Sequence, residues 1–94
     1  MSVFVVTWNL NKERSGYDQA RRDFIAHLER YDNAKDGGLE SVRWVSTAST
    51  ASDVSAYLRQ KLDKNDRLLV SRLNRSEHTG WLSQATWDWV NARL

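Results

Sequence analysis

The sequence contains no cysteine and no proline, and only four glycines. Without cysteine the chain has neither a disulfide framework nor a thiolate metal site. None of the glycines stands in the GxGxxG or GxxxxGK spacing that cradles phosphates, so no nucleotide cofactor is expected. The longest apolar run, Val3–Val6, is too short to cross a bilayer, and the amino terminus lacks the pattern of a signal peptide. We therefore expect a soluble, cytoplasmic protein with no membrane partner and no bound cofactor.

The length and charge of the chain are those of one small globular domain, residues 1–94. Fourteen basic and twelve acidic side chains give a net charge of +2, and ten of the basic residues are arginine. Arginine suits bidentate contact with phosphate or carboxylate. The acids interleave with the bases, however, so composition alone favours a solvated surface of mixed charge.

Three segments have the composition and alternation of strands. They are Ser2–Leu10, Leu39–Ala48 and Arg67–Asn74. The first carries apolar side chains on both faces, which predicts a central strand. The second is more polar on the face that includes Arg43, and we expect that face to meet water or a ligand.

Three further segments favour helices. Ser15 stands three residues before Asp18, a helix-start spacing, and an apolar stripe continues to about Tyr31. Residues 32–38 have the composition of a turn. Thr50 or Ser52 caps a second predicted helix that closes at residues 63–66. A closing helix is predicted within residues 81–94, with an apolar side formed by Leu82, Ala85, Trp89 and Trp81, and with Trp87, Val90 and Leu94 close by. The order β-α-β-α-β-α predicts an α/β (α+β) layered sheet, and the free edges of three strands predict dimerisation.

Chemistry-bearing residues are few. The two histidines, His27 and His78, lack zinc-ligand spacing, so no metal site is expected. The end of the first strand offers donors from Asn9 to Arg14, at a sheet edge where ligands commonly bind. An ordinary solvated turn fits the same residues. His78, after Glu77, is either a general acid or base or a plain loop residue.

Three segments carry a family resemblance. They are VVTWNLNKE at 5–13, GLESVRWVSTAST at 38–50 and YLRQKLDKNDRLLVSRL at 57–73. Across residues 2–74 the chain resembles CRISPR-associated protein two and its small relatives. The resemblance implies a ferredoxin-like β-α-β-α-β sheet, here with a carboxyl-terminal helix, a homodimer, and DNA or RNA as partner. That family includes metal-dependent nucleases, duplex-DNA-binding partners of an integrase and, distantly, ribonuclease toxins such as virulence-associated protein D.

One departure from the family shapes the functional prediction. In its nuclease members the first strand ends in an aspartate, one from each subunit, and the pair holds a divalent ion. This chain has Asn9 there, and a neutral amide binds magnesium poorly. We therefore predict nucleic-acid binding through backbone phosphates without cleavage. The predicted phosphate contacts are Lys12, Arg14, Arg43, Arg72 and Arg75.

Two other functions fit the sequence. The first is a nuclease or ribonuclease toxin that uses a divalent metal such as Mg²⁺, with catalytic candidates Asn9, Glu13, Glu77 and His78. The second is a protein-interaction module. Its anchors are Trp81, Trp87 and Trp89, because aromatic side chains are enriched at binding hot spots.

Overall fold

The computed structural model describes residues 1–94 and has an α+β architecture of four strands and three helices. All strand pairs are antiparallel, and the order across the sheet is β2-β3-β1-β4. No helix has both the length and the apolarity needed to span a membrane. The elements are β1 (Ser2–Asn9), α1 (Tyr17–Leu28), β2 (Asp32–Ala34), β3 (Val42–Thr47), α2 (Ala51–Arg59), β4 (Arg67–Arg72) and α3 (Gln84–Arg93).

The prediction of three strands is wrong, because the segment taken for a turn contains β2. Asp32 pairs with Ser46 and Ala34 with Trp44 along the edge of β3. A strand of three residues is too short to show alternation, and its Asp-Asn start has the composition of a turn. Pairing with β3, which local sequence does not reveal, determines its conformation.

Strand β1 lies inside the sheet, as its two apolar faces predict, and its even-numbered side chains face α1 and α2. The main core forms on this face. Its buried members are Phe4, Val6, Trp8, Leu10, Phe24, Leu28, Val45, Val54 and Leu58. Trp8 and Phe24 pack with their ring centroids 5.0 Å apart.

The first helix differs from its prediction at both ends. Gly16, and not Ser15, is its N-cap residue, with a left-handed φ of 70° and no capping side chain. Glycine adopts that conformation without steric cost. The helix ends at Leu28, yet Tyr31 packs against the main core, which is why the apolar stripe continues to it. In α2 the Thr50 hydroxyl accepts the Asp53 N–H at 3.1 Å, one of the two predicted caps.

Helix α3 covers part of the opposite face of the sheet. Val90 packs there with Val3 and Trp44, and all three are buried. Ser83 caps the helix. The predicted apolar side is partly wrong, because Ala85 is exposed and Trp81 precedes the helix and is fully exposed. Leu82 and Trp89 of that side do pack against the small cluster.

Two carboxylates of the β2–β3 segment hold α3 at its ends. Asp36 accepts the Ser83 N–H at 2.8 Å, and Asp32 accepts Arg93 Nε at 2.7 Å. The Ser83 and Gly38 backbone N–H groups hold the pKa of Asp36 below its usual value. The Arg93 guanidinium also lies 4.1 Å from the centre of the Trp89 ring, a cation–π geometry.

Candidate functional site

The Asp66 side chain joins the loop after β1 to the turn before β4. It is fully buried and accepts three hydrogen bonds: from the Asn11 N–H at 2.8 Å, from Arg14 Nη1 at 2.6 Å and from the Asp63 N–H at 3.0 Å. A buried carboxylate is tolerated when it is paired and hydrogen-bonded in this way. Asp66 therefore fixes the two loops relative to each other.

Arg14 contacts two carboxylates of the same turn. Its Nη1 atom lies 2.6 Å from Asp66 Oδ2 and 3.4 Å from Asp63 Oδ2. Because Asp63 is half-exposed, its bond to Arg14 is the weaker of the two. The guanidinium offsets acidic charge that would otherwise face the neighbouring groove.

That groove lies between α2 and β4 and has a volume of about 700 Å³. Three exposed cations line it: Arg59 in the last turn of α2, Lys64 in the turn, and Arg67 at the start of β4. None of the three forms an ion pair, since the ion pairs of the protein involve Arg14, Arg43 and Arg93. Arg67 Nη1 donates to the carbonyls of Lys64 at 3.3 Å and Asp66 at 3.0 Å, which holds its side chain at the turn. The groove thus carries three unpaired positive charges, and Arg14 offsets part of the charge of the two acids beside them.

The predicted phosphate contacts do not lie together. Lys12 and Arg14 follow the end of β1, whereas Arg72 pairs in register with Phe4 near its start. Lys12 and Arg72 are exposed. Arg75 donates to the main-chain carbonyl of Leu94. Only Lys12 of the five is an uncommitted cation near the groove's end of the sheet.

Arg43 is largely buried, although its face of the strand was predicted to meet water or a ligand. Arg43 points to the α1 side of the sheet, where it is 8% exposed. Its Nη1 atom donates to Glu29 at 3.0 Å and to Asn33 at 2.8 Å. The long arginine stem reaches across the face of β3 to partners that are distant in sequence, so strand alternation alone does not show this burial.

The catalytic candidates fall in separate loops. Asn9 ends β1 and Glu13 follows in the next loop, both exposed. Glu77 accepts a hydrogen bond from Asn74 at 3.2 Å in the connection after β4, where His78 Nδ1 lies 2.8 Å from the Asn74 carbonyl. No group of three or more His, Cys, Asp or Glu side chains is placed to hold a metal ion.

The three predicted tryptophan anchors have different environments. Trp81 is 100% exposed. Trp87 is half-buried and stacks on His78 with ring centroids 6.0 Å apart, and Trp89 is half-buried beneath Arg93. The remaining two, Trp8 and Trp44, are in the cores.

Sequence reasoning missed the groove cations Arg59, Lys64 and Arg67. An excess of positive charge is visible in residues 59–67, RQKLDKNDR, which contain four basic and two acidic residues. The sequence does not show that both acids contact Arg14, which lies some 50 residues earlier in the chain.

A comparison of the chain with protein-family models found no match.

Proposed function

We propose that this protein is a cytoplasmic, nucleic-acid-binding homodimer that holds backbone phosphates in the groove between α2 and β4 and does not cleave them. The observation behind this proposal is the set of three exposed, unpaired cations, Arg59, Lys64 and Arg67. Arg14 offsets part of the charge of the two carboxylates beside them. Contacts of this kind supply sequence-independent affinity for nucleic acid. In this proposal Arg14 is a positioning residue that removes repulsion, and Lys12 extends the cationic surface.

The topology supports a ferredoxin-like arrangement within this proposal. Both crossovers, β1-α1-β2 and β3-α2-β4, skip one strand of the order β2-β3-β1-β4, and their helices pack on one face. This arrangement agrees with kinship to CRISPR-associated protein two, which we retain as part of the proposal. Asn9 at the end of β1 supports binding without metal-dependent cleavage, because an amide carries no charge to offer a divalent ion.

The test is fluorescence anisotropy with labelled duplex DNA and RNA at two salt concentrations, with Mg²⁺ present and probe lengths checked afterwards. We expect binding that weakens with salt and leaves the probes intact. The double variant Arg59→Gln, Lys64→Gln should lower the salt slope by about 0.9 for each phosphate of duplex DNA that the variant no longer neutralises.

The matched control is Arg22→Gln, Arg30→Gln, which removes the same charge from exposed sites outside the groove. Equal weakening by both double variants would mean that net charge, and not the groove, drives binding. Probes shortened in Mg²⁺ but intact in chelator would overturn the non-cleaving proposal in favour of a nuclease.

The exposed edge of the sheet at β4 supports the homodimer part of the proposal. Strand β4 ends the sheet, and Leu69 on it is 60% exposed. An open edge with an exposed apolar side chain favours pairing with a second copy. Light scattering after size-exclusion chromatography should give twice the monomer mass for the native protein and the monomer mass for Leu69→Lys. A monomeric native protein would contradict the dimer.

The complete exposure of Trp81 favours a second candidate function, a protein-interaction module. A fully exposed tryptophan contributes nothing to packing and is a typical hot-spot residue. Trp81→Ala should then abolish partner binding without changing the melting temperature. Retained partner binding in that variant would exclude Trp81 as an anchor.

A further inference from the structure

A second, smaller cleft shares no lining residue with the α2–β4 groove. It runs between α1 and the β2–β3 connection and has a volume of about 320 Å³. That volume is at the low end for ligand pockets, which suits a small ligand. Its basic lining residues are Arg21, Lys35 and Arg43.

Arg43 brings unused hydrogen-bond donors to this cleft. A guanidinium has five N–H donors, and the ion pair with Glu29 and the bond to Asn33 use only Nη1. No fully shielded side-chain nitrogen in the protein lacks a hydrogen-bond partner. Since Nε and Nη2 of Arg43 have no partner in the chain, these two atoms must reach solvent, and the cleft is the open space that Arg43 lines. Nε and Nη2 lie side by side on the guanidinium plane, as bidentate binding of an oxyanion requires.

Two of the three basic side chains that line the cleft have no acidic partner and are free to contact an anion. Arg21 and Lys35 form no ion pair. Asp36 also lines the cleft, but its carboxylate accepts the N–H groups of Ser83 and Gly38. Glu40 is the one lining carboxylate with no hydrogen-bonded or ionic partner, and it opposes an anion.

We propose that this cleft binds a single phosphate group, with Arg43 Nε and Nη2 as the fixed bidentate donors and Arg21 and Lys35 as cations at the rim. The site is separate from the α2–β4 groove and does not depend on the proposed nucleic-acid binding. Its ligand carries a terminal phosphate, either on a small phosphate ester or at the end of a nucleic-acid strand.

The test is a titration with inorganic phosphate at constant ionic strength, followed by NMR of the Arg43 Nε–H and the Gly37 amide. We expect saturable shifts at both. Arg21→Gln should weaken binding by roughly threefold, as for one exposed charge contact. Arg22→Gln, one position along α1 and outside the cleft, should leave it unchanged. Glu40→Gln should tighten binding by a similar factor, because it removes the opposing charge.

Non-saturating shifts, or equal weakening by Arg21→Gln and Arg22→Gln, would overturn the proposal. The substitutions at Arg21 and Glu40 leave buried Arg43 intact, so the test does not depend on a variant that fails to fold. Competition between inorganic phosphate and an oligonucleotide with or without a 5′-phosphate then identifies the source. Displacement by the phosphorylated strand alone indicates a nucleic-acid end, and displacement by neither strand indicates a small phosphate ester.

Discussion

The two faces of the sheet are stabilised in different ways. Under α1 and α2 lies a continuous cluster of nine buried apolar residues, whereas the cluster under α3 has only three buried members, Val3, Trp44 and Val90. The α3 face relies instead on polar contacts at the ends of the helix, through Asp36 and Asp32. The larger core therefore determines whether the domain folds, and α3 is the element expected to open first.

The largest effect is expected from truncation in the main core. Phe24→Ala removes a fully buried ring that packs on Trp8 and should lower the free energy of unfolding by about 3–5 kcal/mol. That is a large share of the ~5–15 kcal/mol typical of a domain. Denaturant titration measures it. Arg22→Ala, on the exposed side of the same helix, should stay within about 0.5 kcal/mol of the native protein. If Phe24→Ala lowered the free energy of unfolding by less than about 1 kcal/mol, the main core would not be the main source of stability.

A smaller and more local effect is expected under α3. Val90→Ala should cost about 1–2 kcal/mol, because it removes two buried carbon atoms from a small cluster. Hydrogen exchange should accelerate in residues 84–93 while β1 and β3 keep their protection. Equal acceleration in the sheet would show that the two faces unfold together and would remove the contrast between them.

The sequence predicted those parts of the fold that depend on local patterns. Apolar residues on both faces of β1 predicted its inner position, and the α2 cap at Thr50 was one of two alternatives named. Strand β2 escaped prediction because its pairing partner, β3, determines it. Trp81 was wrongly placed on the closing helix, because α3 begins only after Ser83.

The candidate sites were less predictable, because they depend on which charges are neutralised. Arg14 and Arg43 have the exposed-looking context of phosphate contacts, yet each pairs with a carboxylate of another segment. Conversely, the three groove cations outnumber the two acids that lie among them in sequence, and the contact of Arg14 with those acids makes the groove more positive. Pairings at long sequence separation are not visible in a single sequence.

The smallest of the three effects, and the one that depends on pH, is expected at the amino-terminal end of α3. Asp36→Asn keeps the shape of the side chain but weakens its bonds to the Ser83 and Gly38 N–H groups. Those bonds lower the pKa of Asp36 in the folded state. The carboxylate therefore makes its full contribution to stability at pH values above the usual aspartate pKa of about 3.9. This contribution is lost as the pH falls through the lowered pKa of the folded state. The variant should be less stable than the native protein at pH 7, and the difference should shrink as the pH falls from about 5 toward 2.

Thermal unfolding of both proteins across that pH range, followed by tryptophan fluorescence, measures the difference. Asp88→Asn is the matched control, because it removes one charge from α3 at a residue bonded only to the Gln84 side chain. The control should lie close to the native protein at pH 7. A stability gap for Asp36→Asn that stays constant or widens in acid would mean that the ionised carboxylate does not hold α3. The α3 face would then depend on the cluster of Val3, Trp44 and Val90 and on the pair of Arg93 with Asp32 at the other end of the helix. The polar contact at the amino-terminal end would no longer distinguish the two faces.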